Sequence, residues 1–136
     1  MLNKVAITFF YLFILIFSFA CNSNTESTAP SQEEATGIVT VVINHLVAGE
    51  YSEVTRHFCP IMKKELPEEK LESGWVNTLN NMGGYVGEVR RSFNQLEDYM
   101  AVNVLSEFEE GLLVIRVVFD SKKRVAGLWL QEVEEQ

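Results

Sequence analysis

Cysteine is scarce: Cys21 and Cys59 are the only two in 136 residues. That is too few for the disulfide framework of a small secreted scaffold. His45 and His57 are the only histidines. A structural zinc site wants four well-spaced Cys or His ligands, so no metal and no other cofactor is expected. Positive charge is also short, with 11 Lys and Arg against 19 Asp and Glu, for a net charge of −8. A phosphate-backbone binder needs clustered cations, so nucleic acid is not an expected partner. P-loop, nucleotide-binding glycine and nucleophile-elbow patterns are missing as well. The acidic residues gather in turns and tails, as solvated surface groups do. Together these absences argue against an enzyme.

What is present begins with one long apolar run, Val5 to Phe17, behind a short start that carries Lys4. It is shorter than the roughly 20 residues of a spanning helix, and no basic cluster follows it. Small Ala20 precedes Cys21. This layout is that of a secretory signal peptide over residues 1–20. A cysteine directly after the small residue resembles the lipobox of bacterial lipoproteins. In that family the sulfur takes a diacylglycerol and the cysteine becomes the first mature residue. The resemblance implies lipidation at Cys21, attachment to a membrane through that lipid, and a place in the bacterial cell envelope outside the cytoplasm. Plain secretion and an uncleaved anchor are the alternatives. Residues 21–31, rich in Ser, Thr, Asn and Pro, read as a flexible tether. Residues 32–136 are then a single domain, too short for two. With Cys21 acylated, Cys59 is left as a free cysteine and reads as a small buried apolar residue.

Helical spacing comes first in the domain. Ala35, Ile38, Val39, Val42 and Leu46 share one face between Ser31, a capping residue, and Gly49, a stop. The β-branched run Val39 to Ile43 pulls the other way. Tyr51 to Phe58 predicts a second short helix, and Pro60 opens another turn with Ile61 and Met62. Pro67 to Met82 is the clearest helix, with a stripe of Leu71, Trp75, Leu79 and Met82 ended by Gly83-Gly84. From Tyr85 the period is two. Tyr85, Val89 and Phe93 alternate with polar residues, and Arg91 falls in phase with them. Strands follow around Met100 to Val104, over Leu112 to Phe119 and over Val125 to Leu130, separated by turns at 95–98, 109–111 and 120–123. Helices first and strands second mean an α+β fold. The expectation is N-terminal helices on one face of a curved, four-stranded antiparallel meander.

Several stretches carry a resemblance: Leu46-Val47-Ala48-Gly49-Glu50-Tyr51, Phe58 with Met62-Lys63, Leu71 with Trp75, and Gly84-Tyr85. Val118-Phe119-Asp120 and Lys123 to Leu128 complete it. Over roughly Gln32 to Leu130 the chain resembles the bacterial domain-of-unknown-function 3887 family. The resemblance implies a secreted or lipid-anchored setting and a cone-shaped fold similar to nuclear transport factor two. It brings no agreed catalytic set.

The candidate ligand pocket joins His45, Trp75, Tyr85 and Arg91. If the first strand's inner face meets the helices, two aromatic rings and two donor groups would suit a small anion or carboxylate. The bland reading is a boundary histidine, a snorkelling arginine and a core tryptophan. The functional expectation is a lipid-anchored, non-enzymatic binding or interaction module for a small anionic ligand or a protein partner. The alternative is a small enzyme using His45 for acid–base chemistry. The last two strands are apolar on both faces. Leu113, Ile115, Val117 and Phe119 take one side of the third strand, and Leu112, Val114 and Val118 the other, with Arg116. Val125, Trp129 and Val133 are expected in one phase of the last strand, Leu128 and Leu130 in the other. One helical layer covers one sheet face, so a homodimer through the sheet is expected.

Overall fold

A computed structural model describes residues 29–133. The expected signal peptide, Cys21 and most of the expected tether lie outside the described residues, as does the end of the acidic tail. Among the described residues four helices come first: α1 (Gln32–Ala48), α2 (Tyr51–Thr55), α3 (Pro60–Glu65) and α4 (Glu68–Met82). Four strands follow: β1 (Tyr85–Leu96), β2 (Tyr99–Phe108), β3 (Gly111–Phe119) and β4 (Val125–Glu132). They form one antiparallel sheet in the order β1-β2-β3-β4. The α+β class and the segregation of helices from strands are as expected.

Each helix boundary has a local cause. Ser31 and Glu34 make a reciprocal capping box, with the Glu34 amide donating to Ser31 Oγ at 3.2 Å and the Ser31 amide donating to Glu34 Oε2 at 3.0 Å. Ala29 packs on the core and Pro30 is buried, so the folded unit takes in residues that the sequence reading gave to the tether. Gly49 closes α1 at φ 75°, a left-handed conformation that suits glycine. The β-branched run is helical because Val39, Val42 and Ile43 are all buried. Burial outweighs a weak propensity penalty. The second helix is shorter than expected and stops at Thr55. Phe58 instead pairs with Val125, through Cys59 N–H to the Val125 carbonyl at 2.9 Å and Val125 N–H to the His57 carbonyl at 2.7 Å. Cys59 is buried and free. Ile61 is 74% exposed, so α3 contributes Met62 alone to the core.

The core lies between α1, α4 and the inner face of the sheet. Trp75, Phe108, Phe119, Ile115, Val102 and Val104 are fully or almost fully buried there. Three irregularities interrupt the strand registers, the first at Val86 between Tyr85 and Gly87, and the other two correct the expected phases. In β1 the register with β2 shifts between Glu88 and Arg90, leaving Val89 as an extra residue, 55% exposed rather than inward. In β4 the shift between Val118 and Phe119 does the same at Ala126. Val125 therefore faces inward with Leu128 and Leu130, while Trp129, opposite Arg116, faces outward. Strict alternation put Val125 and Trp129 in one phase, and the bulge separates them.

Candidate functional site

The bulge at Val89 decides what Arg91 can do. Residues three apart on a regular strand point to opposite faces. The extra residue brings Glu88, opposite buried Ser106, onto the same inner face as Arg91, opposite Val104. The two form a forked ion pair, Arg91 Nε to Glu88 Oε1 at 3.0 Å and Nη2 to Oε2 at 2.6 Å. Arg91 Nη1 also donates to the Thr36 carbonyl at 3.0 Å and to Thr40 Oγ1 at 3.1 Å. Its side chain is 14% exposed. Arg91 therefore points inward, as the phase suggested, and fastens β1 to α1 with most of its donors engaged.

His45 occupies the last turn of α1, with Nδ1 2.5 Å from Glu50 Oε2. The two side chains are 30% and 54% exposed, so this pair is partly open to water at the α1–α2 corner. Tyr85 stands edge-on to Phe108 at 5.5 Å, and Trp75 meets the same ring at 5.8 Å. Burial pushes the Tyr85 hydroxyl above its ordinary range, against the opposing hydrogen bond from Ser106. The structure thus brings Trp75 and Tyr85 together through Phe108, with Glu88 and Arg91 near the tyrosine. His45 stands apart from that group.

Of the four, only Trp75 lines a well-formed apolar cavity of about 240 Å³. Lys70, Leu71, Gly74 and Trp75 supply the α4 wall, and Leu128, Trp129 and Leu130 supply the β4 wall. Leu46 and Leu66 complete the lining. Lys70 is the one ionisable side chain among them. Apart from Trp75, these residues were absent from the sequence-based pocket, because their walls meet only once the sheet has closed on α4. One signal was available. Gly74 interrupts a helical pattern, where glycine costs about 1 kcal/mol relative to alanine. A Cβ there would meet nothing within 4 Å, so close packing does not demand it. Among the described residues no group of three or more His, Cys, Asp or Glu could hold a metal ion.

These features define a small α+β domain: a helical layer on one face of an antiparallel meander, with an apolar cleft between its last helix and its last strand. A family model, described as a protein of unknown function (DUF3887), matches residues 39–128. The chain belongs to that family. No curated protein and no solved structure matches it.

Proposed function

We propose that the protein is a lipid-anchored, extracytoplasmic binding or interaction module of the bacterial envelope, without catalysis of its own. The apolar cavity beside Trp75 carries the binding half of this reading. It offers aliphatic and aromatic walls and a single cation, and so contact area rather than reactive groups. Arg91 is engaged with Glu88 and α1, and the His45–Glu50 pair is partly open to water rather than enclosed in a pocket, which supports binding over acid–base chemistry. The Ala20-Cys21 junction after the apolar run supports the anchor. The cone-like likeness to nuclear transport factor two belongs to the same reading. So does a second copy meeting the outer sheet face, where Trp129 and Leu112 remain 49% and 41% exposed.

Each half has its own test. Mass spectrometry of the membrane fraction should find an acylated N-terminus at Cys21, and Cys21→Ser should release the protein or leave its precursor uncut. A mutant that stays processed and membrane-bound removes the anchor. For the cavity, small uncharged probes such as indole should perturb the Trp75 ring resonances in an NMR titration. Probes that leave those resonances unmoved remove the binding site.

A further inference from the structure

The cavity has a specific shape of preference built into it. Its volume of about 240 Å³ exceeds the roughly 150 Å³ that holds one benzene in an engineered apolar cavity. By proportion it takes about ten heavy atoms. Its walls are apolar from Leu71 to Leu130, so the body of an occupant gains by leaving water. Lys70 is the exception. It is exposed, and among the described residues it joins none of the ion pairs that engage Arg56, Arg91, Lys123 and Arg124. An ammonium free of a partner at an apolar cleft offers a counter-charge to an anionic head whose tail lies inside.

Gly74 is a second, independent observation. It sits one turn beyond Lys70 on α4 and lines the same cleft. A mid-helix glycine weakens a helix, and here no neighbouring atom requires the missing Cβ. What the glycine does supply is an open wall.

Resting on the binding reading above, we propose that this cleft holds a small amphiphile with an anionic head, its apolar tail against Trp75, Leu128 and Leu130 and its carboxylate on Lys70. A medium-chain carboxylate such as octanoate has the right size and charge. Gly74 keeps the entrance clear.

Calorimetric titration of the full chain in nanodiscs, with empty nanodiscs as the blank, tests this using octanoate and octan-1-ol. Octanoate should bind with a dissociation constant of roughly 0.1–1 mM. Lys70→Gln should weaken octanoate by about three- to fivefold, the scale of an exposed ion pair, and leave octanol unchanged. Raised salt should erode the same increment. Gly74→Leu should abolish binding of both while its thermal midpoint equals or exceeds that of the parent, so that the loss is occlusion and not unfolding. If octanol matches octanoate and Lys70→Gln alters neither, the anionic head is wrong and the binding cavity survives. If neither compound binds the parent, both the amphiphile and the binding reading fall.

Discussion

The two faces of the sheet use similar residues to different ends. The inner face is built from bulk. Met100, Val102, Val104 and Phe108 on β2 meet Leu113, Ile115, Val117 and Phe119 on β3, all at 3% exposure or less. Helices α1 and α4 close over them. The outer face carries Ala101, Leu105, Val114 and Val118, and no described helix lies on it. It limits its exposed apolar area by local means. The Trp129 ring folds back over Gly127, so close that a Cβ there would lie 2.1 Å from its Cη2. In the rung of Trp129 itself Arg116 and Asn103 interrupt the apolar surface, their side chains 3.5 Å apart. Alternation alone does not distinguish these faces. Residue size, one glycine and one polar rung do.

The sharpest test of the contrast removes one indole from each face. Trp75, on α4 over the inner face, is 2% exposed and stands between Phe108 and the cavity, whereas Trp129 on the outer face is 49% exposed. Trp75→Ala should cost about 3–5 kcal/mol by chemical denaturation, a large part of a small domain's stability. Trp129→Ala should cost about 1 kcal/mol or less, mainly by uncovering Gly127. Equal losses at the two positions would erase the distinction between the faces.

Arg91 and Glu88 put a charged pair on the inner face. Arg91→Met keeps the aliphatic stem but removes the cation from Glu88 and the donors from Thr36 and Thr40. It should cost roughly 1–3 kcal/mol. The double variant Glu88→Gln, Arg91→Met should recover part of that loss, because the orphaned carboxylate is gone. If the single variant is neutral, the fork and its contacts to Thr36 and Thr40 do not fasten β1 to α1.

Much of this was legible in the sequence. Ser31, Gly49, Gly83 and the Leu71–Trp75 stripe act locally, so they announce their helices wherever the chain goes. The two-residue period, with the nearly continuous apolar run Leu112 to Phe119, marked all four strands. The bulges at Val89 and Ala126 were not legible, since a bulge depends on what the partner strand offers at that point. Both reversed side-chain phases that strict alternation had assigned. The candidate site suffered for the same reason. Arg91 was rightly turned inward, but its partner Glu88 reaches that face only through a bulge. His45 found Glu50, five residues on, at a corner set by Gly49. The cavity depends on β4 lying beside α4, a pairing between residues more than 50 apart in sequence, and only Gly74 hinted at it.

The outer face also sets an expectation for assembly. With Trp129 and Leu112 about half exposed, light scattering of a chain starting at Asn22 should show a two-fold dimer at tens of micromolar. Trp129→Glu should return it to monomer with a stability change of about 1 kcal/mol or less. A monomeric parent that Trp129→Glu leaves unaltered would mean that this face meets a different partner.

The smallest effect belongs to pH. The carbonyl of His57 anchors the start of β4 by accepting from Val125. Its ring lines a groove with Glu33, Glu34 and Lys123. Burial, and after it the charge of nearby His45, hold the His57 pKa below the ordinary 6.5, with Glu53 opposing. A histidine lowered in the folded state binds fewer protons there than in the unfolded chain. Its stabilising contribution is therefore whole above about pH 6.5, shrinks as pH falls through the window beneath, and levels off below the folded value. Stability should consequently soften slightly from pH 6.5 downward, and His57→Gln should flatten that slope while the Trp129 variants keep it. A ring titration of His57 by NMR with its midpoint at or above 6.5 would reverse the sign and break the link between the β4 anchor and pH.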